Sequence, residues 1–97
     1  MNDMTLPIPH VLAVDDDPSI RQLVQDYLSD NDLRVTVVAS GRELDAVMAR
    51  ETVDLVLLDL RLQPGEDGLQ IARRLREGSE IPILMLTGRS EEADRVM

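Results

Sequence analysis

Three aspartates stand where apolar runs of the chain stop: Asp15 and Asp16 directly after residues 10–14 (HVLAV), and Asp59 directly after residues 54–58 (DLVLL). Carboxylates gathered at one place repel, which raises the pKa of at least one of them, and a hard cation relieves the repulsion. All-oxygen ligands with room for water favour Mg²⁺ or Mn²⁺. With its charge neutralised in this way, a carboxylate can approach an anionic phosphoryl donor, so the chemistry open to such a trio is in-line phosphoryl transfer onto Asp59. A hydroxyl, Thr87, ends a further apolar run at residues 81–86.

Each of these residues also has a plainer reading when taken singly. Asp15 and Asp16 can be solvated acids at a strand end, and Thr87 before Gly88 a turn residue. Asp17 before Pro18 is a helix cap, and Asp67-Gly68 starts a helix rather than touching a ligand. His10 has no carboxylate or thiol partner at a metal-ligand spacing and reads as structural. The methionines are core or surface filler. Only the joint placement of Asp15, Asp16, Asp59 and Thr87 at the ends of three different runs favours chemistry.

The elements that must position them follow from local patterning. Residues 10–14, 54–58 and 81–86 are short apolar runs without alternation, as in strands buried on both faces, and residues 34–39 (RVTVVA) form a β-branched strand. Between them, Ile20, Leu23, Val24, Tyr27 and Leu28 recur at helical spacing, and Ser40 with Glu43 makes a capping box for a helix through Leu44, Val47 and Met48. A third helix runs from Leu69 through Ile71, Ala72 and Leu75 to a stop at Gly78. Ser90 caps a fourth helix over residues 90–97 (SEEADRVM).

Alternation of strands and helices in this order specifies an α/β fold, a doubly wound parallel sheet, because parallel strands need helical crossovers. Ligands of such sheets bind outside the carboxyl ends of the strands where strand order reverses. If the order is 2-1-3-4, the first and third strands are neighbours and Asp15, Asp16 and Asp59 face one another.

The bulk properties narrow the setting. The 97 residues, 43% hydrophobic, suffice for one domain, and with Tyr27 as the single aromatic residue the core must be aliphatic. Nineteen acidic and ten basic residues leave a formal charge of -9, which disfavours direct contact with nucleic acid or an anionic membrane. All ten basic residues are arginine, and the absence of cysteine excludes disulfides and thiolate metal sites. Residues 1–9 read as a loose leader without signal-peptide features, and no apolar run approaches the ~20 residues of a membrane span. A soluble, cytoplasmic protein is the expectation.

Three stretches, VLAVDDDPSIRQLV, DLVLLDLRLQPGEDGLQIARRLR and IPILMLTGR, together with separations of 43 positions from Asp16 to Asp59 and 28 from Asp59 to Thr87, resemble the receiver domain of two-component response regulators. Within that family the text is most similar to the OmpR-like group, and the resemblance covers residues 10–97. It implies a flavodoxin-like sheet of order 2-1-3-4 continuing to a fifth strand. It implies Asp59 as phosphoacceptor, Asp16 as a direct Mg²⁺ ligand and Asp15 acting mainly through water. The backbone carbonyl of Arg61 would complete the protein ligands, and the Thr87 hydroxyl would bond the phosphoryl group and report it to the fourth helix. The implied donor is a phosphohistidine on a sensor histidine kinase or phosphotransfer protein.

Two departures from the family pattern stand out. Pro64 falls five positions after Asp59 and Asp67 eight after, one more than usual, so the loop beyond Arg61 carries an insertion, with Gln63 as the candidate. The family also continues with the rest of the fourth helix, a fifth strand bearing a lysine and a switch aromatic, a fifth helix and often a DNA-binding domain. None of these lies within the 97 residues, which contain no lysine. Mg²⁺ binding is therefore expected to outlast efficient phosphorylation, and the fourth strand is expected to present an open edge through which the chain self-associates. A phosphorylation-independent interaction module is the alternative function. A haloacid dehalogenase-type phosphatase would need DxDxT where DDDPS stands, and flavodoxin-like cofactor binding would need a glycine-rich phosphate loop.

Overall fold

The computed structural model describes residues 8–59, 67–86 and 95–96. The elements are β1 (His10–Val14), α1 (Pro18–Asp30), β2 (Arg34–Val38), α2 (Gly41–Arg50), β3 (Leu55–Asp59), α3 (Gly68–Gly78), β4 (Ile83–Leu86) and β5 (Arg95–Val96). They form a single sheet of order β2-β1-β3-β4-β5, in which the first four strands are mutually parallel. The doubly wound parallel sheet and the order 2-1-3-4 thus stand as expected.

Each helix begins where its capping residue predicts. Asp17 accepts the Ser19 N–H at 2.8 Å ahead of Pro18, whose missing N–H would be unsatisfied at that position anyway. Ser40 accepts from Glu43 N at 3.3 Å, while the Glu43 carboxylate reaches one residue further back than a standard capping box and takes the Ala39 N–H at 2.6 Å. Asp67 and Gln70 form the full reciprocal box at the start of α3, so the Asp67-Gly68 pair is a helix start. At the other end of α1, Asp32 turns the chain into β2 with φ 64°, a left-handed conformation that aspartate tolerates better than most residues.

The two faces of the sheet are filled unequally. Side chains alternate along a strand, and Leu12, Val14, Val56, Leu58, Ile83 and Met85 all point to one face, where Leu44 and Val47 of α2 and Ile71, Ala72 and Leu75 of α3 cover them. Each of the larger residues fully buried there contributes roughly 1.5–3 kcal/mol. On the opposite face Leu55, Leu57, Leu84 and Leu86 stay half-buried. Among the described residues only α1 lies on that side. It packs over β1 and β2, has no fully buried residue, and leaves an apolar cleft of about 350 Å³ between Leu23, Val24, Tyr27, Leu28 and Leu57. The expectation of strands buried on both faces therefore holds for β1, all five residues of which are buried, but not for β3 and β4.

The last strand departs from the sequence reading. Arg95 and Val96 lie in an expected helix but form β5, antiparallel to β4 and paired Met85 to Arg95 and Leu84 to Val96. A helix of barely two turns is marginal by itself, whereas the outer side of β4 offers backbone donors and acceptors that a returning segment can satisfy. The β4 edge is consequently occupied at Leu84 and Met85, and the open edge that would support self-association is not present there. β4 is also shorter than the run 81–86, because Pro82 has no N–H to give to the ladder. Its carbonyl still accepts the Val56 N–H at 3.0 Å.

Candidate functional site

Register brings the acids together. Val14 of β1 pairs with Leu58 of β3, so the next residues, Asp15 and Asp59, leave the two strands at the same level. Asp59 is still in the ladder, opposite Leu86 of β4, one residue later than the apolar run alone suggested. Asp15, Asp16 and Asp59 each present a carboxylate oxygen within 4.8 Å of the others. Asp15 and Asp59 line a small pocket whose other walls are apolar, Ala13, Val14, Leu57, Leu58 and Leu86 from the strands and Ile20 and Val24 from α1, which together form an apolar floor to the site.

The β1–α1 turn that carries the acidic pair is tied from several sides. The Asp15 N–H donates to the Val38 carbonyl of β2 at 3.1 Å, and Asp15 Oδ1 accepts the Asp17 N–H at 2.9 Å. Arg21, at the end of the first turn of α1, donates from Nη1 to the Asp15 backbone carbonyl at 2.8 Å. Sequence reasoning overlooked Arg21. The available signal was a basic residue four positions after the helix cap, from where a helical side chain points back toward the N-terminus.

Electrostatics bear the expected mark of crowding. The Asp15 carboxyl is raised above its ordinary value, chiefly because burial on the apolar floor disfavours its charged form. The Asp17 N–H works in the opposite direction, and the charges of Asp59, Asp16 and Asp17 add to the increase. Repulsion was the anticipated cause, and it is present, but desolvation by the strand ends is the larger.

The donor set suits a hard divalent cation. Two oxygens on an octahedral Mg²⁺ with bonds of about 2.1 Å stand roughly 3 to 4.2 Å apart, so a limit of 4.8 Å leaves only small side-chain rotations to make. Asp16 is exposed, which leaves an approach for water or a phosphoryl donor. Arg61, Gln63 and Thr87 lie outside the described residues. His10 is remote from the site, at the opposite end of β1, and its ring bonds to Thr52 and Thr36 as a structural residue would.

A sequence profile of the response regulator receiver domain matches residues 11–97. The transcriptional regulatory protein AruR of Pseudomonas aeruginosa is 44% identical over 95 residues, which is 93% of this chain and 38% of AruR. The chain thus spans well under half the length of that relative. Among solved structures, the receiver domain of RstA from Klebsiella pneumoniae superposes with a TM-score of 0.76 at 41% identity, over 82% of this chain and 68% of the other. The complex of histidine kinase ThkA with response regulator TrrA, a Thermotoga maritima protein, matches with a TM-score of 0.77 at 30% identity, over 84% and 70% of the respective chains. No described helix is long and apolar enough to cross a membrane.

Proposed function

Because the chain belongs to the response regulator receiver domain family, we propose that it receives a phosphoryl group on Asp59 from a phosphohistidine of a sensor histidine kinase or phosphotransfer protein. The observation that carries this reading is the convergence of Asp15, Asp16 and Asp59, from two adjacent parallel strands, within 4.8 Å. A solvated acid at a single strand end needs no such register.

In this reading an Asp59 oxygen attacks phosphorus, the bond from phosphorus to one imidazole nitrogen breaks, and the imidazole, protonated on its other ring nitrogen, leaves neutral with the electron pair of that bond. Asp15 and Asp16, with Asp59 and the Arg61 carbonyl, would hold Mg²⁺ or Mn²⁺. When bound, the ion supplies charge neutralisation for the carboxylates and for the transferring phosphoryl oxygens. The backbone around Asp15 holds the pair in place, the apolar floor excludes water from below, and the Thr87 hydroxyl bonds the phosphoryl oxygens. By the family resemblance, Asp16 would act as direct ligand and Asp15 mainly through water. The kinase partnership is supported by the TrrA relative, whose solved structure is a complex with a histidine kinase.

The alternative is an interaction module that works without phosphorylation. Exposure of the chain to acetyl phosphate with Mg²⁺, followed by intact mass, separates the two. Gain of one phosphoryl mass in the wild type and none in Asp59→Asn supports the receiver reading. No gain, with no Mg²⁺-dependent change on adding beryllofluoride, selects the interaction module.

A further inference from the structure

We propose that Arg21 is a positioning residue for the carboxylate pair, holding the peptide between Asp15 and Asp16 in the orientation that lets both acids serve one cation. The inference rests on the metal-binding reading above and assigns a role to a residue outside the acidic trio.

Three polar groups of Asp15 are each tied to a different neighbour. Its N–H is bonded to β2 through Val38, its side-chain oxygen to the turn through Asp17, and its carbonyl to α1 through Arg21 at 2.8 Å. The last bond is the one that bears on Asp16. The carbonyl of Asp15 and the N–Cα bond of Asp16 lie in one planar peptide unit, so a donor that holds the oxygen also sets the direction in which Asp16 leaves the turn. Arg21 is itself anchored, since its N–H bonds to the Asp17 carbonyl at 3.0 Å in the first turn of α1. Arg21 is half-buried and its guanidinium reaches back to the Asp15 carbonyl, so the donor is delivered by a rigid element rather than by a free surface side chain.

Charge and positioning predict opposite signs, which makes the idea testable. A cation next to a metal site repels the metal, so on Coulomb grounds alone removal of Arg21 tightens Mg²⁺ binding. If Arg21 orients the ligands, its removal weakens binding, because the Asp15–Asp16 peptide is then free to turn and the two carboxylates must be ordered on binding.

The test is calorimetric titration of Mg²⁺ into the full chain, as wild type, Arg21→Met and Arg21→Lys. Methionine keeps an unbranched stem and removes the donors and the charge, and lysine keeps a charged donor on a flexible stem. The expected result is a loss of about tenfold in Mg²⁺ affinity for Arg21→Met and a loss within about threefold for Arg21→Lys. In the metal-free protein, the Asp15 and Asp16 amide resonances of Arg21→Met should move while those around His10 stay in place. Arg21→Ala, with the best helix former at that position, serves as the donorless variant if Arg21→Met does not fold. Equal or tighter Mg²⁺ binding by the folded donorless variant overturns the proposal while leaving the metal site standing. A lower melting temperature with unchanged affinity does the same and reduces Arg21 to a structural role. Failure of the wild type to bind Mg²⁺ overturns the metal site and this inference together.

Discussion

Strand β1 is polar at both ends, and the two ends solve opposite problems. At its start the His10 ring is 2% exposed, yet Nδ1 lies 2.8 Å from the Thr52 carbonyl and Nε2 lies 2.8 Å from the Thr36 hydroxyl. A carbonyl only accepts, so in the neutral ring Nδ1 carries the proton and Nε2 accepts from Thr36. The His10 N–H donates to the Asp54 carboxylate at 2.8 Å, and the Asp54 N–H returns a bond to the His10 carbonyl at 2.8 Å. Every polar group there meets a complementary one. At the far end, five residues along, three groups of the same charge are brought within 4.8 Å. The first arrangement fastens β1 to β2 and to the loop before β3, and the second gives up local stability to create a site for a cation.

Substitution at either end should expose that difference. The largest effect is expected from His10→Ala, which removes a buried ring and leaves the Thr52 carbonyl without its donor. It should lower unfolding free energy in denaturant by about 3 kcal/mol, with Mg²⁺ affinity of the folded protein unchanged. Asp16→Ala should do the reverse, cutting Mg²⁺ affinity about a hundredfold, or about 2.7 kcal/mol, with little loss of stability. A common effect of both variants on both measurements would break the contrast. Thr36→Val deletes one hydrogen bond and leaves Nε2 of His10 without a donor, for a loss of about 1 kcal/mol and no change at the metal site.

The smallest effect is a pH dependence at the acidic end. The folded Asp15 carboxyl is raised above its unfolded value near 3.8, so over that window the folded state binds more protons than the unfolded state. Stability of the metal-free protein should therefore gain a contribution as pH falls through the raised folded value toward 3.8, and lose it as pH rises. Asp15→Asn should flatten this component in denaturant titrations run at a series of pH values. Mg²⁺ should remove it in the wild type, since the bound ion favours the ionised carboxylate.

Most of the site was legible because its residues end strands. Asp15 and Asp59 each follow an apolar run long enough to be a strand and too short to be a helix, and order 2-1-3-4 then makes the two strands neighbours. The helix starts were legible for a local reason as well, since Asp17, Ser40 and Asp67 cap through backbone groups two or three residues away. His10 could be recognised as structural but its partners could not, because Thr36 and Thr52 lie 26 and 42 positions along the chain. Arg21 has the same difficulty in milder form: its charge suggests a solvated face, and only the closed turn shows its carbonyl partner.

The segment at residues 90–97 marks the boundary between the two kinds of information. Its cap and acidic first turn favour a helix locally, but Arg95 and Val96 pair with β4 because an unfilled strand edge competes for the same backbone. Local pattern by itself determined that β1 to β4 exist and where they lie to within a residue or two, where α1 to α3 begin, and that three acids stand at the ends of two strands. Tertiary structure decided the rest: the apolar floor that raises Asp15, the unequal cover of the two sheet faces, the strand that occupies the β4 edge, and the guanidinium that holds the acidic turn. The physical reason is range. Capping and periodicity act within a few residues, whereas desolvation, register and long-range hydrogen bonds arise only when distant segments share the same space.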